Sequence, residues 1–308
     1  MSSREADTRT INLVDIPLIR RVSDHASMLN CELACTDNVH GPSGAILTNI
    51  LLPQRGLYTL VTRSSKPQVV GQFRLRGDDQ NAHIVYLAPT PHPDDDDTAW
   101  LFMLDAMTRE AGKLHAHALI GEVEEGSALF EIMRTSGFAV YARQQLWYRM
   151  PGDYPCLEPP VYLRPAISTD YGQIQALIAQ TVPGLLQQVI APSGELNGWV
   201  YDKHGQIEAY LDVTIGRYGI YIVPYINPDI LSETPAIIHH LTQSLQKSGK
   251  LPVTICIRRY QEWIKPALEA LQFKPGARQA LMVRRIAAVI RQPRFQLTKS
   301  ILVPALSD

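Results

Sequence analysis

Three groups of residues in this sequence have types and spacings that can do chemistry. Four consecutive carboxylates, Asp94–Asp97, stand just before a segment of helical periodicity. Hard cations take carboxylate ligands, but a run lacks the turning spacing of a coordination cage, and the simpler expectation is an acidic helix N-terminus capped by Asp97 or Thr98. Glu122, Glu124 and Glu125 cluster at the end of an apolar run, as a solvated acidic turn or as carboxylates placed to take a proton. Arg258, Arg259 and Tyr260 end another such run, and two guanidiniums there suit phosphates or an acidic substrate. The histidines offer less. His83 and Tyr86, three apart on an extended segment, are expected on opposite faces. His115 and His117 share a face if extended, but no cysteine or carboxylate at a matching spacing completes a metal site, and none is expected. His239 and His240 are adjacent in a helix and point apart.

Elements must hold these residues in place, and composition bounds what they build. The chain has 308 residues, of which 45% are apolar and 19% charged, enough for two substantial cores. With 29 Lys+Arg against 30 Asp+Glu the net charge is −1, so neither nucleic acid nor another polyanion is the expected partner. Residues 1–155 carry −5 and residues 156–308 carry +4. Four cysteines, Cys31, Cys35, Cys156 and Cys256, make no disulfide framework, and no stretch approaches the ~18 apolar residues of a membrane span. With the polar start MSSREADTRT, this reads as a cytoplasmic protein.

Four prolines within 150–160 mark a linker, because such a stretch continues neither a helix nor a central strand. Across it the sequence repeats. Phe138, Ala142-Arg143-Gln144, Leu146 and Arg149 match Phe273, Ala277-Arg278-Gln279, Leu281 and Arg284 at an offset of 135 residues. Element order repeats with it. The first half predicts a strand at Leu18–Val22, a helix capped near Ser23, strands at Gly56–Arg63, Gln68–Arg76 and Ala82–Ala88, a helix over Thr98–Leu114, a strand at His117–Val123, a helix over Ser127–Thr135 and closing strands. The second predicts strands at Val161–Arg164, Gly198–Tyr201, Ile207–Ile215, Gly219–Tyr225, Pro252–Arg258 and Ala277–Arg285. Its helices are a first one capped near Ser168 or Thr169 and running to Ala179, then Thr234–Ser248 and Gln261–Leu271. Each copy is mixed α/β, with units at 11–150 and 161–286 and an extension, 287–308, read as a possible added strand docking on the other half or on a second subunit.

This order, together with Ala128-Leu-Phe-Glu-Ile-Met-Arg-Thr-Ser-Gly-Phe138 and the Arg-Gln strands, resembles the GNAT superfamily of N-acetyltransferases, here in tandem. In the second copy Ala267–Phe273 fits the same helix end, with Gln272 where glycine is usual. The resemblance implies a site between two diverging parallel strands, where the backbone of the family's fourth strand pairs with the pantetheine arm of acetyl-CoA. On that basis the cofactor-binding candidates are Leu87, Ala88, Val223 and Tyr225, with Arg258 for phosphates, and the catalytic candidates are Glu122 and Tyr86.

The family's glycine-rich pyrophosphate loop closes backbone N–H groups on phosphate at a helix N-terminus. Here the corresponding stretches are Pro89–Trp100, with Asp94–Asp97, and Asn227–Pro235; neither contains glycine. Two unit charges about 6 Å apart repel by roughly 3 kcal/mol at an effective dielectric of 20, so the aspartates oppose a diphosphate. The family's proton-donating tyrosine falls at Met133 and Leu268, which have no proton to give, leaving Tyr141 or Tyr260 to reach inward. The implied activity is acetyl transfer from acetyl-CoA to a primary amine on a small molecule or peptide. The alternative is a non-catalytic binding or assembly protein on a degenerate tandem fold.

Overall fold

The computed structural model describes residues 8–10, 25–37, 56–62, 67–77, 79–152, 161–190, 196–246 and 251–286, with isolated positions between 11 and 24. The expected strand over 18–22 (Arg21 apart), the Ser23 cap, residues 153–160 of the linker and the extension 287–308 lie outside them.

In the first half the elements are β1 (Thr8–Thr10), β2 (Ser27–Met28), α1 (Cys31–Thr36), β3 (Leu57–Thr62), β4 (Val70–Arg74), β5 (Asn81–Ala88), α2 (Thr98–Lys113), β6 (Ala118–Glu124), α3 (Ala128–Thr135) and β7 (Ala139–Arg149). In the second they are β8 (Leu163–Pro165), α4 (Tyr171–Thr181), α5 (Gly184–Ile190), β9 (Gly198–Lys203), β10 (Gln206–Ile215), β11 (Ile220–Ile226), α6 (Thr234–Gln246), β12 (Val253–Arg258), α7 (Lys265–Ala270) and β13 (Lys274–Arg285). The expected helix over 261–271 is instead a 3-10 turn, Arg259–Ile264, leading into α7. Ser127 caps α3 by accepting from the Phe130 N–H, and α4 starts where Asp170 accepts from the Ile167 N–H at 2.9 Å and holds Arg164 in a two-pronged ion pair. Neither Ser168 nor Thr169 caps it: both lie in a 3-10 turn, Ser168–Asp170, that leads into α4, and Asp170 stands at the cap position without a side-chain bond to the helix.

The strands form one sheet in the order β1-β3-β4-β5-β6-β13-β7-β12-β11-β10-β9-β8, with β2 on β5. The closing strands are exchanged: β13, from the second half, pairs antiparallel with β6, while β7, from the first, pairs antiparallel with β12. The two lie against each other at the centre. Each half thus lends the other the strand that completes its sheet, where the repeat alone predicts two self-contained copies.

Alternation along the strands divides the core. Helices α2 and α3 bury Trp100, Met103, Met107 and Met133 on the first half, and α6 and α7 bury Ile237, Leu241 and Leu268 on the same face of the second. Met282 of β13 belongs to the first of these cores. On the opposite face α4 and α5 cover the seam, packing Ile174, Leu177 and Leu186 over Ala118 and Ile120 of β6 and Leu281 and Val283 of β13. Each of the larger aliphatic side chains among them contributes about 1.5–3 kcal/mol on burial, so the seam has an apolar core of its own. Helix α1 lies on the second half, where Gly219 passes so close that a Cβ there would stand 2.3 Å from the Cys35 carbonyl oxygen.

Candidate functional site

Each half contains a pair of parallel strands that part company. Strands β5 and β6 are paired from Asn81↔Ala118 to His83↔Ile120, and β11 and β12 from Ile220↔Val253 to Ile222↔Ile255; beyond these points no ladder joins them.

In the first half the gap is filled by the chain itself. Strand β2 pairs antiparallel with the inner edge of β5, Ser27 opposite Leu87 and Met28 opposite Tyr86. The Leu29 N–H donates to the Val85 carbonyl at 2.9 Å, and the Leu29 carbonyl accepts from the Glu122 N–H on β6, also at 2.9 Å. The zip continues to the Thr90 N–H, which donates to the His25 carbonyl. The inner edge of β5 at Leu87 is therefore taken, and Ala88 is buried opposite Val70.

Glu122 is held in the same closure. Its carboxylate accepts from the Cys31 N–H at 2.7 Å, at the N-terminus of α1, and from the Gln144 side-chain amide at 2.8 Å. Cys31 in turn donates its thiol to the Gln279 side-chain carbonyl. Tyr86 is buried, its hydroxyl has no partner among the described residues, and burial raises its pKa well above the ordinary tyrosine value. A bulge at Val85 shifts the alternation, so Val85 and Tyr86 share one cluster. That corrects the expectation for His83 and Tyr86, which stand on the same face.

The aspartate run faces solvent. Asp96, rather than Asp97 or Thr98, serves the start of α2, accepting from both the N–H and the hydroxyl of Thr98; Asp95 accepts from the His92 N–H. Among the described residues no group of three metal-ligating side chains gathers, and no helix is long and apolar enough to cross a membrane. Met133 and Leu268 are fully buried apolar side chains.

The gap in the second half is bridged differently. The side-chain amide of Gln261 donates to the Pro224 carbonyl of β11 at 2.6 Å and accepts from the Arg258 N–H of β12 at 3.1 Å. Pro224 stands two residues past the last paired residue of β11, as Val85 does on β5, so the same carbonyl is satisfied by a main-chain amide in one half and a side-chain amide in the other. Val223 and Tyr225 flank Pro224, which has no N–H to offer the gap. In the loop that follows, Asn227 accepts from the Asp229 N–H and donates to Glu208, leaving a 3-10 turn before α6.

This gap opens on a cleft of about 810 Å³ between the halves, lined by Asn30 and Glu32 of the α1 end, Arg74 and His83 of the first half, and Asp212, Val223, Tyr225 and Arg258 of the second. Burial pushes the Asp212 carboxyl up to about 6, with Glu32 adding to the shift. The Tyr210 hydroxyl lies 3.4 Å from Asp212, and its ring stacks on Tyr225 at 6.0 Å. Arg258 is 5% exposed, its guanidinium carbon lies 6.0 Å from the Tyr225 ring centre, and it also lines a smaller cavity of about 320 Å³ with Arg143, Arg278 and Glu125. Sequence reasoning missed Asp212 and Gln261. The signal for Asp212 was an acid in a strand whose neighbours, Tyr210 and Val213, belong inside.

No protein-family profile matches the sequence, and no curated protein matches it. The structure is similar to that of a GCN5-related N-acetyltransferase from Sphaerobacter thermophilus, with a TM-score of 0.55 at 10% identity over 93% of this chain and 97% of that one. It is also similar to a functionally unknown conserved protein from Staphylococcus epidermidis, with a TM-score of 0.50 at 10% identity over 70% and 91% of the two chains. A tandem GNAT protein from the clavulanic acid biosynthesis pathway aligns at 0.47 and 12% identity, over 79% and 87%. With the splayed strands present twice and the Sphaerobacter protein matched nearly end to end, the fold of this chain is a tandem GNAT fold, mixed α/β, with its closing strands exchanged.

Proposed function

We propose that this chain is an acyl-CoA-dependent N-acyltransferase whose second half is the working copy, the first having become its structural partner. What supports this reading is the different closure of the two gaps. Admitting an extended thioester arm to the first half means stripping β2 from β5 and undoing the Leu29 bridge, a set of main-chain bonds tied to the start of α1. In the second half one side chain has to turn. Rotation of Gln261 frees an acceptor, the Pro224 carbonyl, and a donor, the Arg258 N–H, spaced for an amide because an amide already joins them. The acyl-CoA supplies the activated acyl group. The chain supplies the cleft that receives the amine and Asp212, whose pKa of about 6 makes it a base at neutral pH. We place the protein in the cytoplasm, in keeping with its free thiols Cys31, Cys35 and Cys256.

A second reading, a binding protein that no longer transfers anything, has its own support. Pro224 removes the strand N–H that would polarise a thioester carbonyl, and neither phosphate loop contains glycine. Thermal unfolding with acetyl-CoA separates the two. A ligand at 100 times its dissociation constant adds about 2.7 kcal/mol, so a saturable rise in Tm is expected, reached at lower ligand in Gln261→Ala. No rise in either protein at millimolar ligand leaves the second reading standing and removes the first.

A further inference from the structure

Arg258 is a buried cation without an anion. Among the described residues no carboxylate forms an ion pair with it, and two of its guanidinium nitrogens, Nε and Nη1, are buried without a hydrogen-bond partner. An uncompensated buried charge is costly, and proteins ordinarily pair it, neutralise it or replace it. Arginine does not lose its proton, so neutralisation is closed to it. What lies around it is aromatic, Tyr225 and Tyr260, and the side chain lines both the cleft between the halves and the smaller cavity with Arg143, Arg278 and Glu125.

The sign and shape of the missing anion follow from the rest of the cleft. Glu122 and Asp212 also line it, while Glu32 there is ion-paired with Arg74 and Arg76, so a phosphate dianion entering beside Arg258 would share the cleft with the Glu122 and Asp212 carboxylates. A single carboxylate suits one guanidinium, which binds it through two parallel N–H bonds. Asp212 on β10 pairs with Val223 of β11, one residue past the last β11–β12 pair, so Arg258 on β12 lies two strands across and about two residues further along, roughly 12 Å away backbone to backbone. A ligand carrying a carboxylate at one end and an ammonium at the other would satisfy both groups, and the Tyr225 ring, backed by the buried Tyr210, would form the floor between them.

We infer that the cleft between the halves binds a free amino acid, its carboxylate on Arg258 and an ammonium directed toward Asp212. This names the amine acceptor for the acyl-transfer reading and rests on that reading only for the fate of the ligand. Binding itself requires no acyl-CoA, so the two fail separately.

The experiment is calorimetric titration of the full chain with the common amino acids one at a time, without acyl-CoA, with succinate and putrescine as probes lacking the ammonium and the carboxylate. At least one amino acid is expected to bind saturably and more tightly than either control. Losing one of the two charge-assisted bonds in Arg258→Lys is expected to weaken it about tenfold or more. Arg258→Met is expected to abolish binding while raising the Tm of the free protein, because it removes an unpaired buried charge and keeps the volume. Absence of amino-acid binding at millimolar concentration, putrescine binding best, or affinity unchanged in Arg258→Lys would each overturn the inference. Should Arg258→Met not fold, the wild-type and lysine titrations decide alone.

Discussion

Gln144 and Gln279, 135 residues apart and equivalent in the internal repeat, lie directly opposite each other in the ladder between β7 and β13. The two copies of the Ala-Arg-Gln segment therefore meet face to face at the centre of the sheet. Both glutamines also reach out of the ladder, Gln144 to Glu122 and Gln279 to Cys31, so the seam is tied to the segment that closes the first gap.

Exchange of the closing strands couples the halves energetically. Met282 belongs by chain position to the second half but is fully buried in the first core, so Met282→Ala is expected to cost about 2–4 kcal/mol. Urea unfolding followed at Trp100 in the first core and at Trp263 against the second is expected to give coincident transitions, in wild type and variant alike. Two separated transitions would show the halves to be independent.

The approach of α1 to the second half is tested at Gly219. A methyl group there meets the Cys35 carbonyl oxygen at 2.3 Å, and Gly219→Ala is expected to lose about 1–3 kcal/mol in thermal unfolding. Gly172, within α4, has nothing near its missing Cβ, and Gly172→Ala is expected to gain up to about 1 kcal/mol. Equal effects from both would mean that α1 does not sit where described.

The carboxyl of Asp212 titrates near 6, above the ordinary aspartate value. A folded-state pKa raised above the unfolded one gives stability that is complete below the unfolded value and lost as pH rises through about 6. Tm is therefore expected to decline across that range more steeply in wild type than in Asp212→Asn. Acyl transfer, which needs the ionised base, is expected to run the other way, rising through about pH 6 in wild type and losing that rise in Asp212→Asn. A pH–activity profile left unchanged by Asp212→Asn would remove its role as base.

Neutralising Asp94–Asp97 together to asparagine is expected to leave acetyl-CoA affinity unchanged. Their side chains face solvent, and the gap behind their loop is already filled by β2. A gain in affinity by calorimetry would show that the first half binds the ligand and that these charges had opposed it.

Much of the fold was readable from local pattern. The meander of β3, β4 and β5, the helix at Thr98 and the strand–helix–strand order after it follow from apolar periodicity and from glycine and serine punctuation, which act within a few residues. What periodicity cannot carry is partner choice. An exchanged β7 has the same alternation as one that stays at home, since either neighbour buries the same face. Strand β2 was missed because two residues give no period, and α5 because Pro183-Gly184 reads as a turn although its proline opens a helix. Glu122 was singled out as a carboxylate at a strand end, but it lies within β6, paired with Leu281, and Glu124 ends the strand. The engagement of Glu122 with Cys31 and Gln144 depends on residues 91 and 22 positions away, beyond any local signal.

Hydrogen exchange of the full chain, with and without saturating acetyl-CoA, reads the two gaps in one experiment. The asymmetric site requires new protection in 220–226 and 253–264, around Pro224, Arg258 and Gln261, with 25–30, 81–88 and 118–124 exchanging as before. Protection appearing in the first-half segments, or release of 25–30 from β5 on binding, would contradict it.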